Sequence, residues 1–267
     1  MKFLCPHTNR ELQIWKESLD YLIEPKLKIL YYLKWSPLNY ENNYFLEEYK
    51  NTYGKTYFDD EKHIRLLAKK RIEFLKPFLS NHSSILELGC ATGFFLDEAK
   101  RIFKKLKGVE ISQFATNYAK EKLMLDVDCM NLYDFFRRNT TKYDVVASFY
   151  VIEHFKEQRE IFSSIRDVLN NKGLWICAIP STFGPLFFYD KKKWIEYHPK
   201  DHYVDYNPYA IKRILSLYGF RLLSIRPASY HQERTKGITK KIPAFMYKYF
   251  ADIFCFGDTI EFIAQKY

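Results

Sequence analysis

The 267-residue sequence is notable first for what it lacks. It has no apolar run of about 18 residues and no recognisable secretory leader, which argues against a membrane span and against export. Five cysteines, Cys5, Cys90, Cys129, Cys177 and Cys255, form no pairs at metal-ligand spacing. Three of them fall in or beside apolar, strand-like runs, so buried thiols in a reducing, cytoplasmic setting are expected. Cys5-Pro6-His7 has the look of half a metal site, but no second half stands near it. There is no internal repeat, no low-complexity tract and no block of like charge. No Gly-x-x-x-x-Gly-Lys-Ser/Thr occurs either, which removes the usual nucleotide-triphosphate loop.

A chain of this length supports one large α/β domain with additions, and a domain of that size buries about 75% of the surface its unfolded form exposes. Hydrophobic residues make up 47% and charged residues 28%, ordinary values, whereas 22 Tyr and 23 Phe are many. The formal charge of +10 fits either a compositional bias toward Lys or an anionic partner such as nucleic acid, a phosphorylated glycan or an acidic membrane face. Its densest basic patches are Lys191-Lys192-Lys193 and Lys240-Lys241.

Residues 10–35 read as a helix, with Leu12, Trp15, Leu19, Leu22 and Ile23 on one stripe. The basic, aromatic stretch Lys26 to Trp35 suits packing on the body of the protein; a peripheral membrane contact is the alternative. A polar, tyrosine-rich stretch from Tyr40 to Tyr57 reads as a loop over a ligand site. We therefore expect an N-terminal helical extension and lid over residues 1–58 and the main domain over 59–267. Asp59-Asp60-Glu61 opens a helix whose buried stripe is Ile64, Leu67, Ala68, Ile72 and Leu75.

From Ser84 the chain alternates strand and helix patterns, the mark of a doubly wound, mostly parallel sheet. Strands are expected near Ser84 to Leu88, Leu106 to Ile111, Val127 to Cys129, Tyr143 to Ser148 and Gly173 to Ile179. Helices are expected over Phe94 to Lys105, over Ser112 to Met124 with Ser112 as cap, and over Lys156 to Asn170. The alternation lapses near 181–206, resumes with a helix capped by Asn207-Pro208 and a strand from Phe220 to Arg226, and lapses again near 227–257. A last strand covers Thr259 to Ala264. Long insertions within a regular domain are usually functional.

The Ser84 to Gly93 stretch carries the chemistry. A phosphate cradle needs Gly-x-Gly-x-x-Gly with its N–H groups facing an anion, but here Phe94 stands where the third glycine belongs. Glu87, just before the turn, would also oppose a pyrophosphate. A cofactor with no phosphate and a positive ammonium and sulfonium would gain from that carboxylate, and S-adenosylmethionine is such a molecule. Glu110, 23 residues after Glu87 and at the end of the next strand, is placed to accept both ribose hydroxyl hydrogens.

Taken in order, Glu87-Leu88-Gly89-Cys90-Ala91-Thr92-Gly93, Gly108-Val109-Glu110-Ile111-Ser112, Tyr143-Asp144-Val145-Val146, Val151-Ile152-Glu153-His154-Phe155 and Gly173 to Pro180 resemble the class I S-adenosylmethionine-dependent methyltransferases, especially bacterial ubiquinone-biosynthesis-like and sugar methyltransferases. The resemblance spans Asp60 to Tyr267 and implies a Rossmann-like, seven-stranded fold. It also implies that Gly89 and Gly93 let the backbone approach the methionine part, that Glu110 holds the ribose, that Asn131 and Leu132 flank adenine and that Phe149 lines the methyl-donor pocket. Ala91 replaces the usual middle glycine. With Glu87, Cys90, Ile111 and a cap from Tyr53 or Tyr57, these residues make up the expected cofactor shell. Some relatives with Glu-x-x-Glu-His bind a divalent metal; here Tyr150 replaces the first acid, and no metal is expected.

The acceptor must be recognised elsewhere. His154, after the fourth strand, and His202, in the first insertion, are the candidate general bases. His198, Asp201, His231 and Arg234 are the candidate acceptor-binding residues, because an Asp can orient an imidazole and an Arg can bind a carboxylate or phosphate. The expected reaction is methyl transfer to a small-molecule, glycan or lipid-linked acceptor, at oxygen. Alternatives are an RNA or DNA methyltransferase, which the charge suggests but for which no Asn/Asp-Pro-Pro-Tyr/Phe follows the fourth strand, and a non-catalytic binding protein.

Overall fold

The computed structural model describes residues 2–37, 54, 56–80 and 83–267. Its strands are β1 (Gln13–Ile14), β2 (Tyr21–Ile23), β3 (Leu30–Tyr32), β4 (Ser84–Leu88), β5 (Lys105–Glu110), β6 (Val127–Cys129), β7 (Tyr143–Phe149), β8 (Leu169–Pro180), β9 (Val204–Asp205), β10 (Phe220–Pro227) and β11 (Thr259–Lys266). Seven of them form one sheet in the order β10-β11-β8-β7-β4-β5-β6. Four more form a small sheet in the order β1-β2-β3-β9. By contacts the chain divides into two compact units, one of Asn39–Ser148 with Asp167–Ile176, the other of Met1–Leu38, Phe149–Arg166 and Cys177–Tyr267.

In the first unit β4 is central, with β5 and β7 parallel on its two sides and β6 parallel beyond β5. All five β4 residues are buried, as expected of a strand covered on both faces. Its start is fixed by Asp144 on β7, whose Oδ2 accepts from the Ser83 and Ser84 N–H groups at 2.8 and 3.0 Å while Oδ1 accepts from Asn170 at 2.8 Å. Burial alone would raise the Asp144 carboxyl, but these donors hold it down at about 2. Ser112 caps the helix Gln113–Leu123 by accepting from the Ala115 N–H, as its sequence position predicts. The helix after β4 is short, Phe94–Ala99, so β5 begins earlier than the periodicity predicts.

In the second unit the helix expected over residues 10–35 is replaced by β1, β2 and β3, antiparallel to one another, with β9 antiparallel to β3. Pro25 sits inside that span, removes a helical donor and steers Glu24 away from helical dihedrals. The supposed stripe is also divided, since Trp15 and Leu22 are buried while Leu19 is 78% exposed. Trp15, Tyr21 and Leu30 instead form a core joined by Phe187 and Trp194 from the first insertion. Asn207 accepts from the Ala210 N–H to cap the helix Pro208–Leu217, and Gly219, at φ +73°, ends it. The polar loop from Tyr40 to Tyr57 falls largely outside the described residues.

The two insertions contain structure that the sequence pattern does not announce: helices Pro185–Tyr189 and Lys191–Glu196 in the first, and helix Ala244–Phe254 in the second. They meet at Asp258. Its backbone C=O accepts from the Ser181 N–H at 2.9 Å, Oδ1 accepts from the Leu186 N–H at 2.9 Å and Oδ2 accepts from Arg234 at 2.6 Å. Gly184 lies so close to this segment that a Cβ there would come within 2.4 Å of the Asp258 nitrogen and the Gly257 carbonyl carbon. These are backbone atoms that no rotamer change can move aside. Gly184→Ala is therefore expected to destabilise the protein by about 1–3 kcal/mol, measured as a lowered denaturation midpoint at unchanged slope.

Candidate active site

The turn after β4 is built from three left-handed residues, Gly89 at φ +66°, Ala91 at +48° and Gly93 at +83°. At Gly93 the backbone conformation favours glycine, and a Cβ there would also press on Leu125 Cδ1 at 2.5 Å, which would have to shift. Ala91 adopts a conformation that costs an L-residue about 1–2 kcal/mol, which is compensated by its own N–H: this donates to Glu110 Oε2 at 2.9 Å. Glu110 Oε1 accepts from the Ser112 N–H at 2.9 Å. Burial raises the Glu110 carboxyl above its ordinary range, against the pull of these N–H groups. Each carboxylate oxygen still has a lone pair for a further donor, which suits a vicinal diol.

Glu87 is buried, and its Oε2 has no hydrogen-bond partner among the described residues. Burial drives its carboxyl well above the usual range, Arg71 opposes that shift and Glu110 adds to it. An unpaired buried acid beside this turn fits a ligand carrying an amino group and a diol, as S-adenosylmethionine does. Thr92 Oγ1, likewise buried, is a second such atom.

The remaining expected cofactor residues have varied surroundings. Asn131 caps the helix Leu132–Arg138: its Oδ1 accepts from the Asp134 N–H at 2.9 Å, and its Nδ2 donates to the Asp134 carboxylate at 2.6 Å. That carbonyl oxygen is already engaged. Leu132 and Cys90 are buried, Phe149 is half-buried at the end of β7 and Ile111 is 56% exposed. Tyr57 stacks on Phe94 with ring centres 5.8 Å apart, and Arg65 lies over the same Phe94 ring at 4.8 Å while pairing with Asp97 at 2.8 Å. Tyr53 lies outside the described residues.

The second unit holds the candidate histidines, His154, His198, His202 and His231. Three residues after β7 ends comes a 3-10 turn, Ile152–His154, preceded by Tyr150 at φ +60°. His154 Nδ1 donates to Asp201 Oδ2 at 3.0 Å, and Nε2 donates to the Tyr150 C=O at 3.1 Å. Carboxylates and carbonyls only accept, so both ring nitrogens carry protons. Burial alone would lower the His154 pKa, but the Asp201 hydrogen bond and the neighbouring Glu153 charge lift it to about 9. An imidazolium has no lone pair with which to take a proton.

His202 is its opposite. Its ring centre is 4.9 Å from that of His154, and burial, then the His154 charge, lower its pKa to about 4. It is neutral at physiological pH. His198 donates from Nε2 to Asp205 Oδ2 at 2.8 Å, with its side chain 2% exposed. Ligand atoms of Glu153, His154 and His202, and again of His198, His202 and Asp205, lie within 4.8 Å of one another, a donor set that can hold a divalent cation. Two hydrogen-bonded pairs, His154 with Asp201 and His198 with Asp205, thus flank His202, whose ring meets both other imidazoles edge to face.

Asp201 and His198 therefore belong to this cluster, whereas the other two expected acceptor residues stand apart from it. Arg234 is paired with Asp258, and His231 Nδ1 lies 2.9 Å from Glu233 Oε1. The half metal site is also spent: Cys5 Sγ lies 3.2 Å from the Tyr31 hydroxyl, and the His7 nitrogens bond the hydroxyls of Tyr206 at 2.8 Å and Tyr218 at 3.0 Å. Burial lowers the His7 pKa to about 3. Sequence reasoning missed Glu153 and Asp205. Glu153 has both carboxylate oxygens buried without a partner among the described residues, and burial raises its pKa to about 7. Its place beside His154 was a readable signal, whereas Asp205 reaches His198 only because β9 pairs with β3.

Residues 60–225 match the family model described as a methyltransferase domain. Among solved structures of similar fold, an S-adenosylmethionine-dependent methyltransferase from Archaeoglobus fulgidus is 19% identical, with TM-score 0.57 over 79% of this chain and 99% of that one. Magnesium protoporphyrin IX methyltransferase from Synechocystis, with bound S-adenosylhomocysteine, is 14% identical, with TM-score 0.56 over 84% and 97%. Geranyl diphosphate C-methyltransferase from Streptomyces coelicolor, in complex with Mg2+, geranyl diphosphate and S-adenosylhomocysteine, is 14% identical, with TM-score 0.53 over 74% and 77%. No curated protein matches the chain in sequence. The chain belongs to the methyltransferase-domain family, within the class I S-adenosylmethionine-dependent methyltransferases. Its methyl donor is S-adenosylmethionine.

Two outcomes are expected. Glu110→Ala weakens donor affinity by about 1–3 kcal/mol through loss of charge-assisted hydrogen bonds, read by calorimetry. Glu153→Gln removes one of the two anions facing His154, and the His154 pKa falls from about 9 toward its ordinary 6.5, read by imidazole NMR titration. An unmoved His154 would show that Asp201 alone sets its charge.

Proposed function

We propose that the protein transfers the methyl group of S-adenosylmethionine to a hydroxyl oxygen of a small-molecule, glycan or lipid-linked acceptor, with His202 receiving the hydroxyl proton. The observation that carries this reading is the contact between two unlike imidazoles: the His154 ring, with both nitrogens against acceptor oxygens, lies 4.9 Å from the His202 ring, and their surroundings push the two pKa values apart, His154 upward and His202 downward. A neutral imidazole is what a hydroxyl acceptor needs, whereas a carbon nucleophile has no hydroxyl proton to lose. The cofactor supplies a methyl group already activated on a sulfonium. Alignment is then the larger requirement, worth roughly 7–11 kcal/mol, and a base adds about 10²- to 10⁴-fold.

Each residue has one task in this reading. Glu110 and the left-handed turn at 89–93 orient the donor, and Glu87 attracts its amino group. Asp201 and the Tyr150 carbonyl fix the His154 ring, whose charge keeps His202 unprotonated until the acceptor hydroxyl is in place. A proton on His202 then passes to solvent, because the adjacent cation disfavours its retention. Trp194, Tyr21 and Tyr32, whose rings lie 4.8–5.5 Å from His198 or from one another, give the cluster an apolar aromatic wall suited to a sugar or lipid face.

His202→Ala is expected to lower kcat by about 10²- to 10⁴-fold with donor affinity unchanged by calorimetry. The wild-type rate rises as pH passes about 4, where His202 loses its proton, and stays level through the loss of the His154 proton near 9, because His202 is by then unprotonated regardless. Incubating the enzyme and methyl-labelled donor with separated metabolite, glycan, lipid and nucleic-acid fractions identifies the acceptor. Label confined to nucleic acid, or donor binding without label transfer to any fraction, would overturn the proposal.

A further inference from the structure

The helix Ala244–Phe254 turns only a narrow stripe inward. Tyr247 and Ala251, one turn apart, are its buried residues. The opposite face is apolar and open to solvent: Phe245 is 74% exposed, Tyr249 70%, Ile253 58% and Phe254 56%, with Met246 and Phe250 beside them. At 100° per residue these six side chains fill about half the helix circumference. Surface helices normally place charge there. Asp252, the helix's acidic residue, lies outside this arc and accepts from the Tyr230 hydroxyl at 2.7 Å, and Lys248 lies 5.5 Å from the same Tyr230 ring.

The apolar surface continues beyond the helix. Phe250 and Phe188 both pack against Phe256 at 6.0 Å, and Phe188 is itself 62% exposed. Near the helix start, Ile238 is 81% exposed in the short 3-10 turn Gly237–Lys240. That turn is basic: Lys236 lies 3.6 Å from Asp190, while Lys240 and Lys241 are exposed and have no ion-pair partner among the described residues.

We propose that this face is a docking surface for an anionic lipid bilayer, with the helix lying in the plane of the interface. Phe, Tyr, Met and Ile side chains enter the boundary between headgroups and acyl chains, and the lysine stems reach back to the phosphate plane. Charge decides between this occupant and a second copy of the chain. Two copies joined by this face would bring together the lysines of both on a protein already at +10, whereas an anionic surface complements them. No helix of the described residues is long and apolar enough to cross a membrane, so the contact is peripheral. The proposal stands apart from the choice of methyl acceptor.

The test is sedimentation with vesicles of phosphatidylcholine alone or mixed with phosphatidylglycerol. Wild type binds the mixed vesicles, more weakly as salt rises. Lys240→Gln with Lys241→Gln lowers that partitioning about 30-fold, and Phe245→Ser with Ile253→Ser lowers it about 100-fold or more. These side chains are exposed, so circular dichroism and thermal midpoint should stay at wild-type values. A Tyr249→Trp variant supplies a gain of signal: its added fluorescence is quenched by brominated acyl chains only if this face enters the bilayer. Failure to bind mixed vesicles, equal binding by the variants, no quenching at residue 249, or a wild-type dimer dissolved by Phe245→Ser with Ile253→Ser in place of vesicle binding would each overturn the proposal.

Discussion

The Glu110 carboxylate is the interaction on which the turn after β4 depends. With one oxygen it holds the strained Ala91 N–H in the turn after β4, and with the other it holds the Ser112 N–H at the start of the next helix. Two strand ends are thereby tied through one side chain before any ligand arrives. Burial raises this carboxyl above its ordinary range, and the donors aimed at it pull the other way. The same group therefore folds the site and is available to bind in it. Glu87, buried without a partner on one of its oxygens, stores the complementary demand for a positive group.

The histidine cluster works by the opposite means. Its members are not individually unusual, and their protonation follows from contact. Asp201 makes His154 a cation, and that cation keeps His202 neutral. An imidazole set by its neighbour in this way responds to changes in the neighbour's partners, including the backbone of Tyr150, which is held at a left-handed φ of +60°. Strain at a functional turn of this kind is tolerated where surrounding bonds over-determine it, and here the Tyr150 N–H donates to the Ala178 C=O at 2.8 Å.

The α/β core was legible because β4 and β7 declare themselves by apolar runs and the strand and helix patterns alternate around them, and the caps at Ser112 and Asn207 use local chemistry that spacing alone reveals. The left-handed turn after β4 was legible for the same reason, its glycines being near neighbours in sequence. The N-terminal strands were not, because Trp15, Leu22 and Ile23 satisfy a helical stripe as well as they satisfy strand pairing; Pro25 was the local sign that should have prevailed. Asn131 and Arg234 were read by residue type, and type does not show that a cap or an ion pair has already used the side chain. His198 and Asp205 stand only seven residues apart, but Asp205 is placed by the pairing of β9 with the distant β3, which no local pattern encodes.

The Asp258 clamp joins the first insertion, through Ser181 and Leu186, to the second, through Arg234, with Gly184 in backbone contact between them. Loops that vary separately let a family acquire new specificities one segment at a time. Here the two segments share one anchor, so either one inherits the other's geometry. Divergence of acceptor preference within this lineage would then proceed by paired changes, and grafting a single insertion from a relative would transplant a half-fitted surface.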